Sequence, residues 1–109
     1  MLYLHSTYHV EPGKLDEYLE IVQRLQLPYG EKRGLHLEGY WQTANVPGPP
    51  TDLVAIYSME SWATWAKIIE EQPEPELAAM IQEYASKAQF LRPRYESKFL
   101  TPTAFSPLK

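Results

Sequence analysis

Two histidines stand four residues apart near the start of the chain, in the stretch HSTYH that contains His5 and His9. On a helix, such a pair shares a face and can hold one metal ion. On a strand the two backbones would lie roughly 13 Å apart, at about 3.3 Å per residue. The surrounding LYLHSTYHV is rich in aromatic and β-branched residues and ends at Glu-Pro-Gly, which is typical of a strand and a turn. We therefore expect no metal site at this pair.

His5 is the clearest candidate for catalysis. An imidazole titrates near neutral pH and a central strand would hold it rigidly, so His5 could be a general acid or base. Tyr57, in the apolar stretch DLVAIYSM, could donate its hydroxyl to an oxyanion. The strands that carry the two residues should be neighbours, and we predict that His5 and Tyr57 face the same cavity. The alternative for His5 is a partly buried histidine with a structural hydrogen bond.

Large aromatic residues could form the walls of such a cavity. Tyrosine and tryptophan combine a wide ring with one polar group, which suits a flat, apolar ligand such as an aromatic or polyketide-like ring. The candidate substrate-binding residues are Tyr3, Trp41, Trp65 and Tyr84. Ordinary core packing is the alternative for all four.

Other polar residues could also take part in chemistry. His36 shares a predicted strand face with Glu38, whose carboxylate could raise the basicity of the imidazole. Arg92 and Arg94 could hold a carboxylate bidentately. Both sets could also be exposed surface. The sequence has no nucleophile motif, phosphate-binding glycine loop or zinc spacing, and we expect neither a metal nor a cofactor.

The composition restricts the class of protein. The 109 residues include 14 acidic and 10 basic side chains, a formal net charge of −4, and no basic run, so we expect no nucleic-acid partner. Cysteine is absent, which excludes disulfides and fits a reducing compartment. Neither a signal peptide nor a long apolar segment is evident, so we expect a cytoplasmic protein without a membrane partner. The length indicates one domain, 1–109, with an extended tail over 101–109.

Hydrophobic periodicity predicts the element order β-α-β-β-α-α-β. The expected strands are 2–10, 35–46, 52–59 and 94–100. The first helix should start at Leu15 and end at Pro28 and Gly30, and the later ones should start after Ser61 and at Pro75. This order is the ferredoxin-like split βαβ arrangement of the α+β class, with a four-stranded antiparallel sheet and helices on one face.

The third strand, 52–59, is apolar on both faces, so its second face needs a cover. The simplest cover is the same sheet of a second copy, which would make the protein a homodimer, a dimeric α+β barrel. In the second strand, simple alternation places Leu37, Gly39 and Trp41 on one face and Tyr40 on the other. In the tail, Phe105 and Leu108 should be packed as apolar anchors.

Three stretches resemble the NIPSNAP family, in order and nearly from end to end of the chain. They are TYHVEPGKLDEY (7–18), GYW (39–41) and LTPTAFSPL (100–108). The resemblance implies dimers whose sheets pack face to face into a barrel. It also implies a superfamily that includes cofactor-independent monooxygenases, lactone isomerases, polyketide cyclases and haem-handling enzymes. It implies no single reaction.

The chain departs from the family pattern at several polar positions. Leu4 and Ser6 stand where members often carry Glu and Arg, and Ala55, Tyr57 and Met59 stand where members often carry His, Trp and Tyr. From the candidate residues above, we expect a small cofactor-independent enzyme, an isomerase, cyclase or oxygenase, that acts by proton transfer on a hydrophobic aromatic or polyketide-like molecule. The alternative is a non-catalytic ligand-binding or interaction domain, which is consistent with the missing polar residues.

Overall fold

The structure is a computed structural model that describes residues 1–44 and 52–109. Its elements are β1 (Leu2–His9), α1 (Leu15–Ile21), a π-helical turn (Val22–Gln26), α2 (Leu27–Lys32), β2 (His36–Gln42), β3 (Asp52–Met59), α3 (Trp62–Glu70), α4 (Pro75–Leu91) and β4 (Arg94–Leu100). The strands form one antiparallel sheet in the order β2-β3-β1-β4, which confirms the predicted α+β, ferredoxin-like fold. Residues 45 and 46, predicted as the end of the second strand, lie outside the described residues.

The register of the two central strands decides which side chains face the helices. Leu4 lies opposite Tyr57, and Tyr8 lies opposite Leu53. Residues directly opposite each other share a face of the sheet, so these four point the same way. All four are buried in one core cluster with Tyr18 and other helical residues. We call this side of the sheet the helix face and the other side, which carries the odd-numbered residues of β1, the free face.

The first helical segment runs through Pro28 and Gly30, so the prediction that they end it is wrong. The segment passes from α1 through the π-helical turn into α2, and Pro28 lies in the first turn of α2. A proline ring inside a regular α-helix clashes with the carbonyl four residues before it, and a wider π turn just upstream relieves that clash. The segment therefore reaches Lys32 and carries Pro28 to Glu31 along one wall of the cleft described below.

The segment ends in a Schellman motif. Gly34 has a φ of 89°, its N–H donates to the Glu31 carbonyl at 3.3 Å, and the Leu35 N–H donates to the Gly30 carbonyl at 2.8 Å. A positive φ is costly for residues with a Cβ, which explains the glycine. The motif turns the chain from α2 into β2.

The later helices begin where the sequence predicts. The Ala63 N–H donates to Ser61 Oγ at 3.2 Å, which confirms Ser61 as the N-cap of α3. Pro75 is the first residue of α4. The final strand, β4, matches its predicted bounds. None of the described helices is long and apolar enough to cross a membrane.

A β-bulge in β2 changes the predicted faces of that strand. Leu37 lies opposite Tyr57, but the register then shifts, and Tyr40 lies opposite Ala55. Leu37 and Tyr40 therefore share the helix face, whereas simple alternation predicted opposite faces. The bulge adds one residue to one strand, which reverses the alternation beyond it.

The tail differs from the prediction. Phe105 is 89% exposed and Leu108 is 60% exposed, so neither is packed as an anchor within this chain. The tail is held by local bonds instead. Lys109 Nζ donates to the Thr103 carbonyl at 2.8 Å and to the Ala104 carbonyl at 2.6 Å.

Gly34→Ala should destabilise the protein more than Gly13→Ala. Both glycines have positive φ, 89° and 81°, but a Cβ at Gly34 would lie 3.0 Å from Thr64 Cγ2, whereas a Cβ at Gly13 would meet nothing within 4 Å. The backbone term alone is about 1–2 kcal/mol for each variant. Urea unfolding at one protein concentration measures both. In a Thr64→Ser background the difference should shrink, and equal costs in the original background would contradict the close contact.

Candidate functional site

A cleft of about 600 Å³ lies between the helix face of the sheet and the helices. Its sheet wall includes Leu4, Ser6, Tyr8, Tyr57, Tyr95 and Ser97, and its helical wall includes Gln26, Tyr29, Glu31, Trp65, Ile81 and Tyr84. The volume is in the range of small-molecule sites, which are largely apolar with a few polar groups. The lining contains six aromatic side chains and two serines among aliphatic residues, so the cleft can accept a flat molecule that carries oxygen.

Hydroxyl groups in and beneath the cleft are joined by hydrogen bonds. Gln26 Nε2 donates to the Tyr57 hydroxyl at 2.9 Å, and the hydroxyls of Tyr18 and Tyr84 share a bond of 2.7 Å. Burial is the largest cause that raises the pKa of Tyr18, Tyr57 and Tyr84 above the ordinary value, since a phenolate there would be poorly solvated. These hydroxyls therefore stay protonated at neutral pH and can act as hydrogen-bond donors.

Arg92 lines the cleft and supplies it with a positive charge. It follows α4, and its guanidinium carbon lies 4.3 Å from the ring centroid of Tyr95, 5.6 Å from that of Tyr8 and 5.8 Å from that of Tyr84. Burial alone would lower the pKa of Arg92, but its contacts with the hydroxyls of Tyr84 and Tyr18 outweigh that effect and raise it. The group is therefore a permanent cation against three tyrosine rings.

Two residues of the cleft have polar atoms without a partner. Gln26 Oε1 and Arg92 Nε are buried and make no hydrogen bond to the residues that the structure describes. A buried polar group without a partner costs free energy, and such groups call for an explanation. Both residues line the cleft, so the cleft retains unused bonding capacity.

The prediction that His5 and Tyr57 face the same cavity is wrong. His5 lies opposite Ile56, whereas Tyr57 lies opposite Leu4, so the two side chains point to opposite faces of the sheet. Tyr57 lines the cleft, and His5 lies on the free face in a small depression of about 120 Å³ with Thr7, Glu96 and Lys98. An acid–base pair of His5 and Tyr57 in one site is therefore excluded.

The structure divides the other predicted site residues between the two faces. Trp65 and Tyr84 line the cleft. Tyr3 lies opposite Ser58, and Trp41 lies opposite Val54, so both are on the free face, away from the cleft. The bulge in β2 moves Trp41 there, and it is 53% exposed. The prediction that Tyr3 and Trp41 line one cavity with Trp65 and Tyr84 is therefore wrong.

The remaining polar candidates also pair differently from the prediction. The carboxylate beside His36 is that of Glu31, whose Oε1 lies 2.8 Å from Nδ1 of His36. Glu38 instead accepts a hydrogen bond from Ser58 Oγ at 2.6 Å. Arg94 lies opposite His9 on the free face, so it cannot join Arg92 in binding one carboxylate.

The histidine pair lies in a strand, as predicted. His9 Nδ1 lies 3.1 Å from Asp52 Oδ1, and its Nε2 lies 3.3 Å from Glu96 Oε1. The described part of the chain contains no group of three or more His, Cys, Asp or Glu side chains that could hold a metal ion.

Sequence reasoning missed several residues of the cleft. Ser6, Tyr8 and Ser97 line it, and the hydroxyls of Ser6 and Ser97 share a bond of 2.8 Å. Strand alternation from the buried Leu4 would have found Ser6 and Tyr8. No comparable signal points to Gln26, because its place depends on a helix that continues past a proline.

A family model for NIPSNAP matches residues 3–107 of the chain. The chain belongs to the NIPSNAP family. This confirms the resemblance carried by the three stretches at its start, middle and end. No curated protein matches the chain closely enough to count as a relative.

Solved structures of NIPSNAP proteins resemble this chain throughout. Protein Atu4242 from Agrobacterium tumefaciens, a NIPSNAP family protein with unknown function, is 25% identical with a TM-score of 0.77, and the match covers 100% of each chain. An uncharacterized NIPSNAP domain protein from Burkholderia xenovorans is 26% identical with a TM-score of 0.77, and the match covers 98% of this chain and 99% of that one.

The fold extends beyond the NIPSNAP family. An antibiotic biosynthesis monooxygenase is 12% identical to this chain, with a TM-score of 0.63 over 94% of this chain and 99% of the other. At that identity the likeness concerns the fold alone. It agrees with the predicted ferredoxin-like fold.

Alkaline titration should reveal the four tyrosines of this NIPSNAP domain whose pKa is raised. Of the eight tyrosines, Tyr18, Tyr40, Tyr57 and Tyr84 have raised pKa values, chiefly through burial. A proton held more tightly in the folded state stabilises the fold below the ordinary pKa of about 10, and that contribution is lost as the pH rises further. We expect four phenolates to appear only together with unfolding, measured by ultraviolet absorbance and circular dichroism.

The control for this titration is the same protein in denaturant, where all eight tyrosines should ionise near their ordinary pKa. Ionisation of all eight near pH 10 while the circular dichroism spectrum stays native would contradict the assigned burial of these hydroxyls.

Proposed function

We propose that the sheet–helix cleft binds a flat aromatic or polyketide-like small molecule and catalyses proton transfer on it without a cofactor. The observation that supports this most is a cleft of about 600 Å³ whose lining contains both aromatic rings and hydroxyl groups. A reaction of the isomerase, cyclase or oxygenase type would begin with removal of a proton beside a carbonyl or phenol. The anion that forms would then need hydrogen-bond donors at its oxygen.

Tyr57 is the proposed donor to that oxygen. Its hydroxyl oxygen accepts a hydrogen bond from Gln26 Nε2 at 2.9 Å, which orients the hydroxyl. The Tyr57 proton is within reach of the Tyr8 hydroxyl, so the oxygen of a ligand would replace Tyr8 as its acceptor. The raised pKa of Tyr57, caused mainly by burial, keeps that proton in place at neutral pH. Trp65 and Ile81 would contact the rings of the ligand from the helical wall.

Glu31 is the proposed proton acceptor in place of His5, and His36 is its proposed partner. Glu31 lines the cleft, and its Oε1 lies 2.8 Å from Nδ1 of His36. In the step that we propose, the C–H bond of the substrate breaks, its proton goes to the Glu31 carboxylate, and the electron pair moves to the enolate oxygen. The imidazole of His36 would orient the carboxylate.

Non-catalytic binding of the same ligand is the second candidate function. It is favoured by the hydroxyl pair of Tyr18 and Tyr84, which satisfy each other at 2.7 Å in the manner of a structural contact. The two candidates differ only in turnover, so a proton-exchange experiment distinguishes them.

Exchange of the acidic C–H protons of 2-tetralone for deuterium tests the proposal. This small aromatic ketone forms a naphtholate-like enolate, and proton NMR in heavy water follows the loss of its signals. We expect the protein to accelerate exchange over buffer, and Tyr57→Phe to slow it about 10-fold or more because one donor to the enolate oxygen is removed. Glu31→Gln should abolish the acceleration.

Glu60→Gln is the matched control, because Glu60 is an exposed carboxylate just after β3 that does not line the cleft. It should exchange 2-tetralone as the unaltered protein does. Binding of 2-tetralone without accelerated exchange would favour the non-catalytic candidate, and absence of binding would contradict both.

We further propose that the free face of the sheet pairs with a second copy of the chain. Trp41 is 53% exposed there and Leu100 is 37% exposed, while Val54 and Ile56 are half-buried. A second copy would cover this surface and complete the barrel expected for the superfamily.

Light scattering on a sizing column tests the assembly, with an expected mass about twice the 12.6 kDa of one chain. Ile56→Arg places a charge at the centre of the free face and should shift the protein toward monomer. Ile69→Arg is the matched control, because Ile69 is 65% exposed on α3, on the helix side of the sheet. A monomer at every concentration, or dissociation by the control variant, would overturn the proposed dimer.

A further inference from the structure

Arg92 is a cation without a counterion. It makes no ion pair with any residue of the described ranges 1–44 and 52–109, and its Nε has no hydrogen-bond partner there. A charge that is partly removed from water is normally paired. The other half-buried arginine, Arg33, differs clearly, since its Nη2 donates to the carbonyls of Lys67 and Glu71 at the end of α3.

The neighbours of Arg92 compensate its charge only in part. Three tyrosine rings lie within 6 Å of its guanidinium carbon, and its Nη2 donates a long hydrogen bond of 3.5 Å to the Tyr84 hydroxyl. The end of α4 adds the partial negative charge of a helix C-terminus. None of these groups is a carboxylate, and none uses the planar fork of donors that makes arginine suited to a bidentate anion.

Aromatic surface surrounds this charge. The rings of Tyr8 and Tyr95 are stacked with centroids 6.2 Å apart, and the cleft continues from them to Trp65 and Ile81. At its rim lies the carboxylate of Glu31, which would repel a second negative charge on a ligand. The cleft therefore combines one cation, aromatic surface and one carboxylate.

We propose that Arg92 recognises a carboxylate, so that the ligand of the cleft is an aromatic acid with a single negative charge. This inference rests on the proposed function, since it names the class of molecule that the same cleft would bind. The carboxylate would take the place of the missing counterion, and the rings of the acid would lie toward Trp65.

A matched pair of probes tests the inference on the unaltered protein. 2-Naphthoate and 2-naphthamide have the same rings and nearly the same shape, but only the first carries a charge at neutral pH. Isothermal titration calorimetry should show that the acid binds about 10- to 100-fold more tightly, the range expected for hydrogen bonds to a charged group.

Three arginine variants assign the preference to its residue. Arg92→Met should remove the preference, so that the acid and the amide bind with equal affinity. Arg92→Lys keeps the charge but not the planar fork, so it should retain part of the preference. Arg94→Met makes the same change in net charge two residues away on the free face, and it should bind both probes as the unaltered protein does.

Each outcome has a distinct meaning. Equal affinities for acid and amide in the unaltered protein would overturn the inference and leave the proposed function standing. Failure of both probes to bind would overturn the proposed function as well. If circular dichroism shows that Arg92→Met is unfolded, the test compares the ratio of acid affinity to amide affinity in the unaltered protein with the same ratio in Arg92→Lys. An undiminished ratio in Arg92→Lys would contradict the bidentate contact.

Discussion

The pairing of Leu4 with Tyr57 between the two central strands determines which side chains meet a ligand. A slip of one residue would move every side chain of β1 to the other face and bring His5 and His9 into the core. Burial of Leu4, Tyr8 and Tyr57 against the helices opposes that slip, because apolar area removed from water stabilises the observed register. The face that packs the core is therefore also the face that lines the cleft, and histidine is kept out of it.

Burial also sets the electrostatic character of the cleft. The tyrosine hydroxyls keep their protons because a phenolate would be poorly solvated there, so they offer donors and weak acceptors and no base. The permanent charge at Arg92 is held against rings, which solvate it less completely than water does. Such a site discriminates by hydrogen bonds and charge at oxygen atoms, while its apolar walls accept rings with little selectivity.

Local sequence signals predicted most of the fold. The N-cap at Ser61, the start of α4 at Pro75 and the bounds of β4 follow from rules that act within a few residues. The continuation of the first helical segment past Pro28 does not, because packing and a π turn override the local preference of proline. The site was predicted less well than the fold. Tyr57, Trp65 and Tyr84 line one cleft, but which face His5 occupies depends on a register set by both strands together.

The bulge in β2 lets this strand carry one more residue than the facing part of β3. Trp41 lies over Gly39, where a Cβ would collide with the indole ring, while Tyr40 stacks on Tyr8. Deletion of the one extra residue, Glu38, would restore simple alternation and leave Tyr40 on the helix face and Trp41 on the free face. The two rings would exchange faces only if the strand kept all its residues and lost the bulge. An inserted residue in this strand can therefore be absorbed as a bulge, and the binding wall beyond it keeps the same rings.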